Sequence, residues 1–189
     1  MVKGKQILIT GGLGFLGSNL AIKLAKKGAI VTILDSLVSE LGGNEFNVSE
    51  IKDKITIVKD DLNNASTTNK LVKGKDIVFH LAGQVDHHRS MEKPFEDLDI
   101  RCKATLTLLE ALRNHNKTCK LIYSSTRSVY GSPKLIPVSE DAPTEPKGMY
   151  AATSLAAEKF IQIYGNAYSL KYCILRITNV KKKEEYYIY

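Results

Sequence analysis

The sequence lacks any close pairing of cysteines. Its three, Cys102, Cys119 and Cys173, are odd in number and fall into neither CxxC nor metal-ligand spacing, which excludes a disulfide scaffold and predicts reduced thiols used for packing in a cytoplasmic setting. No acid or cysteine cluster supports the adjacent His87 and His88 as ligands, so no metal is expected, and the pair is read as a solvated loop. Long apolar runs are also missing. No stretch approaches the length that crosses a bilayer, and the run inside MVKGKQILIT is too short for a signal core, so neither a leader nor a membrane partner is expected. Blocks of like charge are scarce as well: 27 Lys and Arg stand against 20 Asp and Glu, net +7, and the one dense basic run is Lys181 to Lys183. Scattered lysines are a solvated surface that suits anionic small partners such as nucleotide phosphates, and they write no nucleic-acid stripe. Internal repeats and low-complexity tracts are absent.

What is present reads as an alternation. With 43% hydrophobic residues in a chain of 189, one full core is affordable and a second is not expected. Short, nearly continuous apolar runs, QILIT, IVTILD, ITIVKD, DIVFHLA, KLIYSS and YCILRI, are separated by helical patterns. These cover about Phe15 to Lys27, Asn64 to Val72, Pro94 to His115 with apolar positions Leu98, Ala104, Leu108 and Leu112, and Met149 to Tyr168. Continuous rather than alternating strands suit a parallel sheet covered on both faces, so the fold class is α/β, a doubly wound parallel sheet. Residues 38 to 46, with Gly42 and Gly43, are predicted to form a flexible loop. Residues 132 to 148 form another, carrying Pro133, Pro137, Pro143 and Pro146.

The run Thr10-Gly11-Gly12-Leu13-Gly14-Phe15-Leu16-Gly17 follows a strand and opens a helix. In that context glycines permit a tight turn and close approach to a pyrophosphate, whose charge meets free N–H groups and the positive end of the helix dipole. Gly17 lets the helix lie against the sheet. The second strand ends in Asp35, placed to accept hydrogen bonds from both hydroxyls of an adenosine ribose. A carboxylate there repels a 2′-phosphate, and no arginine follows it, so NAD is favoured over NADP. A Rossmann domain over residues 1–180 follows, with a tail at 181–189.

On these residues, and on Asp61-Leu62, Leu81-Ala82-Gly83, Ser90, Pro94, Ser124-Ser125-Thr126 and Val129-Tyr130-Gly131 in the same order, the chain resembles the extended short-chain dehydrogenase/reductases. Within them it resembles the NAD-dependent sugar-nucleotide epimerases and dehydratases, UDP-glucose 4-epimerase among them. The resemblance implies that Asp61 bonds the adenine amino group, Leu62 packs on the adenine, and Leu81, Ala82 and Gly83 line the cofactor. It implies further that Thr126 holds a sugar oxygen, that Tyr150 takes its proton, and that Asn179, with Arg176, approaches the sugar nucleotide. Asp61 read alone is also an ordinary turn acid, Leu62 and Ala82 ordinary core, and Arg176 an internal pairing partner. A homodimer through the two long helices is also implied.

Three departures from the family pattern bear on activity. A tyrosine with an ordinary pKa of ~10 is a poor base near neutrality without a cation close by, and the family supplies a lysine four residues after it, where this chain has Ser154. That serine can donate one hydrogen bond to a ribose but brings no charge. Lys159 lies nine steps of about 100° onward, on the opposite helix face, and Lys147 precedes the helix. Arg101 stands where the family has asparagine; it either alters the polar contacts beneath the cofactor, the favoured reading, or partly replaces the missing charge. Finally, relatives continue past the last strand into a region that closes over the sugar, which is expected to be missing here. The sequence therefore predicts a nucleotide-sugar epimerase or dehydratase of doubtful activity, with a non-catalytic NAD-binding module or regulatory subunit as the alternative.

Overall fold

In the computed structural model residues 2–180 are described, so the expected tail at 181–189 and Lys181 to Lys183 lie outside the described residues. Six strands form one sheet: β1 (Gln6–Thr10), β2 (Ile30–Asp35), β3 (Ile55–Lys59), β4 (Ile77–His80), β5 (Lys120–Thr126) and β6 (Lys171–Ile177). Their order is β3-β2-β1-β4-β5-β6 and every pairing is parallel. The chain winds outward from β1 in one direction and then, from β4, in the other. A crevice opens at the carboxyl ends of β1 and β4, where ligands of doubly wound sheets sit.

The strand period of two sorts the core onto two faces. From β1, Ile7 and Ile9 join a cluster with Leu24, Ile33, Val48 and Ile51, while Leu8 joins Val78, Leu108, Leu112, Leu121 and Ile161 on the other side. Helix α1 (Phe15–Lys26) covers the first face through Ala21 and Leu24; α5 (Ala104–His115) and α6 (Met149–Tyr168) cover the second. Between β3 and β4 runs the short α2 (Ala65–Leu71).

Three segments differ from what the sequence predicts. Beyond Val38 the expected flexible loop is a 3₁₀ turn (Ser39–Leu41) and a longer 3₁₀ helix (Glu45–Lys54). Asn44 caps the latter by accepting from the Phe46 N–H at 2.8 Å, and Val48 and Ile51, three apart, are buried against α1. That spacing is the period of a 3₁₀ helix. His87 and His88 open a helix, α3 (His87–Glu92), because the Asp86 carboxylate accepts from the N–H groups of His88 and Arg89. Lastly, the predicted helix from Pro94 to His115 is three pieces: α4 (Pro94–Leu98), a π-helical stretch (Asp99–Lys103) and α5.

Candidate cofactor and catalytic cleft

A cleft of about 790 Å³ runs along the carboxyl ends of the strands. Its first wall is the glycine turn. Gly11 has φ of 68° and its absent Cβ would stand 2.7 Å from the backbone nitrogen of Ala82, while a Cβ on Gly17 would collide with the carbonyl oxygen of Gly11. Any other residue at either place would push the turn away from the sheet. No side-chain oxygen caps α1 at Gly14, so its first N–H groups and the positive end of its dipole face the cleft as an anion site.

Asp35 is engaged within the fold. One carboxylate oxygen accepts from the Leu13 N–H at 2.9 Å and the other from the Leu37 N–H at 3.0 Å. It thereby ties the glycine turn to the loop after β2, where Leu37 is held at φ of 51°, an unfavourable conformation for leucine. Each oxygen keeps a lone pair for a further donor. Asp61 and Leu62, Leu81 to Gly83, Phe15 and Leu16 line the same cleft, as do Thr126, Tyr150 and Asn179 at its other end. The structure thus gathers into one space every cofactor residue that the sequence and the resemblance point to.

At the far end Tyr150 lies in the first turn of α6. Its N–H donates to the Ser90 hydroxyl at 3.2 Å, its ring lies 4.4 Å from that of His87, and the Arg101 guanidinium carbon lies 4.7 Å from its centroid. Thr126 ends β5, buried; its oxygen accepts from the Ser128 N–H at 3.1 Å and caps the turn that follows. Its hydroxyl proton is left for another acceptor.

Comparison with known proteins now decides the lineage: the sequence profile described as GDP-mannose 4,6 dehydratase matches residues 8–186. The chain belongs to this family of extended short-chain dehydrogenase/reductases. It is 37% identical to the UDP-glucose 4-epimerase of Mycolicibacterium smegmatis over 87% of its own length and 53% of that protein's. Among solved structures it is similar to a UDP-N-acetylglucosamine 4-epimerase of Methanobrevibacter ruminantium in complex with UDP-N-acetylmuramic acid, with a TM-score of 0.85 and 33% identity over 98% of this chain and 59% of that one. It is also similar to a Brucella ovis UDP-glucose 4-epimerase in complex with NAD, with a TM-score of 0.82 and 29% identity over 92% and 51% of the two chains. The chain thus spans between half and three-fifths of the length of these relatives.

For a member of this family the tyrosine's helix holds a correction. Ser154 does not reach the cleft. It is completely buried and its hydroxyl donates to the Tyr150 carbonyl at 2.6 Å, because a short side chain one turn along finds the preceding carbonyl before it finds a ligand. The nearby lysines give no substitute: Lys159 is exposed and bonds Gln162, and Lys147 packs its stem on Gly131, outside the cleft. Arg176 is also engaged within the fold, its guanidinium paired with the fully buried Glu158 at 2.8 Å. The sequence did not single out Gln84, whose side chain bonds Asp97 at 2.6 Å and whose backbone oxygen accepts from Arg101, nor foresee Ser90 as partner of the Tyr150 N–H. Ser90 was visible only as a motif position. Gln84 carried no signal, since a polar residue after β4 is what any loop would show. Among the described residues no cluster of three or more metal-ligating side chains occurs, and no helix is long and apolar enough to cross a membrane.

Proposed function

We propose that the cleft binds NAD and that the domain serves a nucleotide-sugar epimerase or dehydratase. The observation that carries this is the single cleft holding the glycine turn and Asp35 at one end and Thr126 and Tyr150 at the other. NAD bound there would accept a hydride from a sugar carbon and later return it. The chain's own part is to orient and to move a proton. Tyr150 takes the proton of the hydroxyl on that carbon as the C–H bond breaks and the carbonyl forms; Thr126 donates to the same oxygen and holds it in line. The Asp35 carboxylate fixes the adenosine ribose and the α1 N-terminus the pyrophosphate, so the nicotinamide end is delivered to Tyr150.

Calorimetry tests the cofactor half: NAD should bind with NADP at least tenfold weaker, and equal affinities would refute the role given to Asp35. Turnover on a panel of UDP-, GDP- and dTDP-sugars, lost in Y150F, tests the chemistry. A second reading, a non-catalytic NAD-binding module, is favoured by the burial of Ser154 away from the cleft; NAD binding without turnover on any sugar of the panel would select it. Two copies are proposed to pair through the outer faces of α4 and α6, where Phe95, Leu98 and Ile163 are exposed; a monomer in sedimentation at micromolar concentration would refute this.

A further inference from the structure

A cation does stand against Tyr150, delivered from another element. Arg101 lies in the π-helical stretch (Asp99–Lys103), the kind of irregular turn that recurs where a helix must place a side chain for function. Its side chain is buried, with only 5% of the residue exposed, yet it borders the cleft beside Gly83. One guanidinium nitrogen donates to the Gln84 carbonyl. The Nε has no hydrogen-bond partner, and no carboxylate among the described residues lies within ion-pair distance. Asp97, one turn earlier, has its oxygens taken by Gln84 and Thr153.

A buried, unpaired charge is costly to keep. What this one faces is the negative surface of the Tyr150 ring, at cation–π distance, and the end of the cleft where the cofactor reading puts the nicotinamide. We propose that Arg101 is the charge-positioning residue of this site: resting on the reading of the cleft as an NAD site, it supplies from the π-turn the positive charge that Ser154 cannot. The groups around it are His80 on β4, Tyr123 on β5, Asp97 on α4, Cys102 beside it, Tyr150 against it and His87 on the Tyr150 ring. Of these, His80 brings no second cation at neutral pH, since it is pushed down to about 3, first by burial and then by Arg101 itself.

A positive charge at the nicotinamide end has a consequence separate from turnover. Oxidised nicotinamide is cationic and the reduced ring is neutral, so Arg101 selectively weakens the oxidised cofactor. At partly screened distances the effect is about fivefold. Affinities of NAD and NADH are to be measured by calorimetry for the wild type, R101K, R101M and R101Q. In R101M the ratio of the NAD to the NADH dissociation constant should fall about fivefold, and in R101K it should stay near the wild-type value. R101Q, which retains a donor for the Gln84 carbonyl, takes the place of R101M should circular dichroism show that variant unfolded. A role confined to packing changes both affinities together and leaves the ratio fixed; an unchanged ratio in a folded neutral variant overturns the proposal. Failure of the wild type to bind either form removes the cofactor reading itself, and the inference with it.

Discussion

At the scale of single residues, Asp35 holds the glycine turn and the loop after β2 through the Leu13 and Leu37 N–H groups, and the proposed ribose contact would be its second task. Asp35→Ala removes the acceptor of two charge-assisted hydrogen bonds to a ligand, each worth about 1.5 to 3 kcal/mol, and frees the Leu13 and Leu37 N–H groups. We expect NAD affinity to drop at least a hundredfold by calorimetry; a change under threefold would sink the assignment. The place of Asp35 at the end of β2 and on the cleft was legible in the sequence, because an acid closing an apolar strand run after a glycine turn marks that edge. His80 was not. It reads as one more strand residue, and only the folded chain shows it enclosed between the hydroxyls of Thr10 and Thr105. The neutral imagined role of Ser154 failed for a similar reason, since spacing fixes a helix face but does not say whether that face is wet.

At the scale of elements, the turn before α1 depends on what is missing from Gly17. G17A sets a Cβ against the Gly11 carbonyl, so the turn must shift and take its N–H groups from the pyrophosphate. NAD binding should be lost while far-UV circular dichroism retains a folded sheet; retained affinity would show that the turn has slack. Helix α3 is held at its start by Asp86, whose pKa lies below the ordinary carboxylate value because the Arg89 and His88 N–H groups bond it. Its folded pKa is the lower one, so the cap contributes above the unfolded carboxylate pKa and is lost as pH falls through the folded one. Asp86→Ala should raise amide exchange across residues 87–92, and with it loosen Ser90 and His87 against Tyr150; exchange unchanged from wild type would show the helix held by packing alone. Helix existence was readable for α1 and α6, whose apolar period is regular, and for α2, which Asn64 caps. The π-turn was not, because i to i+5 bonding leaves the sequence pattern of an ordinary helix.

For the whole molecule, two buried polar groups tie stability to conditions. Glu158, fully enclosed in α6, takes the Ser125 hydroxyl and pairs with Arg176 on β6. Removing Glu158 takes the counter-charge from Arg176, which keeps only the Tyr130 hydroxyl and the Glu140 carbonyl, at up to about 3 to 5 kcal/mol, so Glu158→Ala should lower Tm by about 10 °C; a fall under about 2 °C would show the pair to be replaceable by water. The His80 imidazole, with its folded pKa of about 3 against an ordinary 6.5, makes the unfolded chain the better proton acceptor between those values. Its contribution is complete above about pH 6.5 and is lost as pH falls toward 3. Unfolding free energies from urea titrations should therefore drop from about pH 7 to about pH 4 by several kcal/mol more in the wild type than in His80→Asn, and parallel curves would discharge His80 from acid unfolding. The amino-acid order alone determined the parallel sheet, the glycine turn and the acid that ends the second strand, because strand runs, glycine spacing and a strand-end carboxylate act through the nearby backbone. Only the tertiary structure decided which charges face which groups: that Ser154 turns inward, that Arg176 is spoken for, and that Arg101 stands at the tyrosine. Those outcomes depend on packing between elements distant in sequence, where a side chain's neighbours are set by the crossing of helices over the sheet.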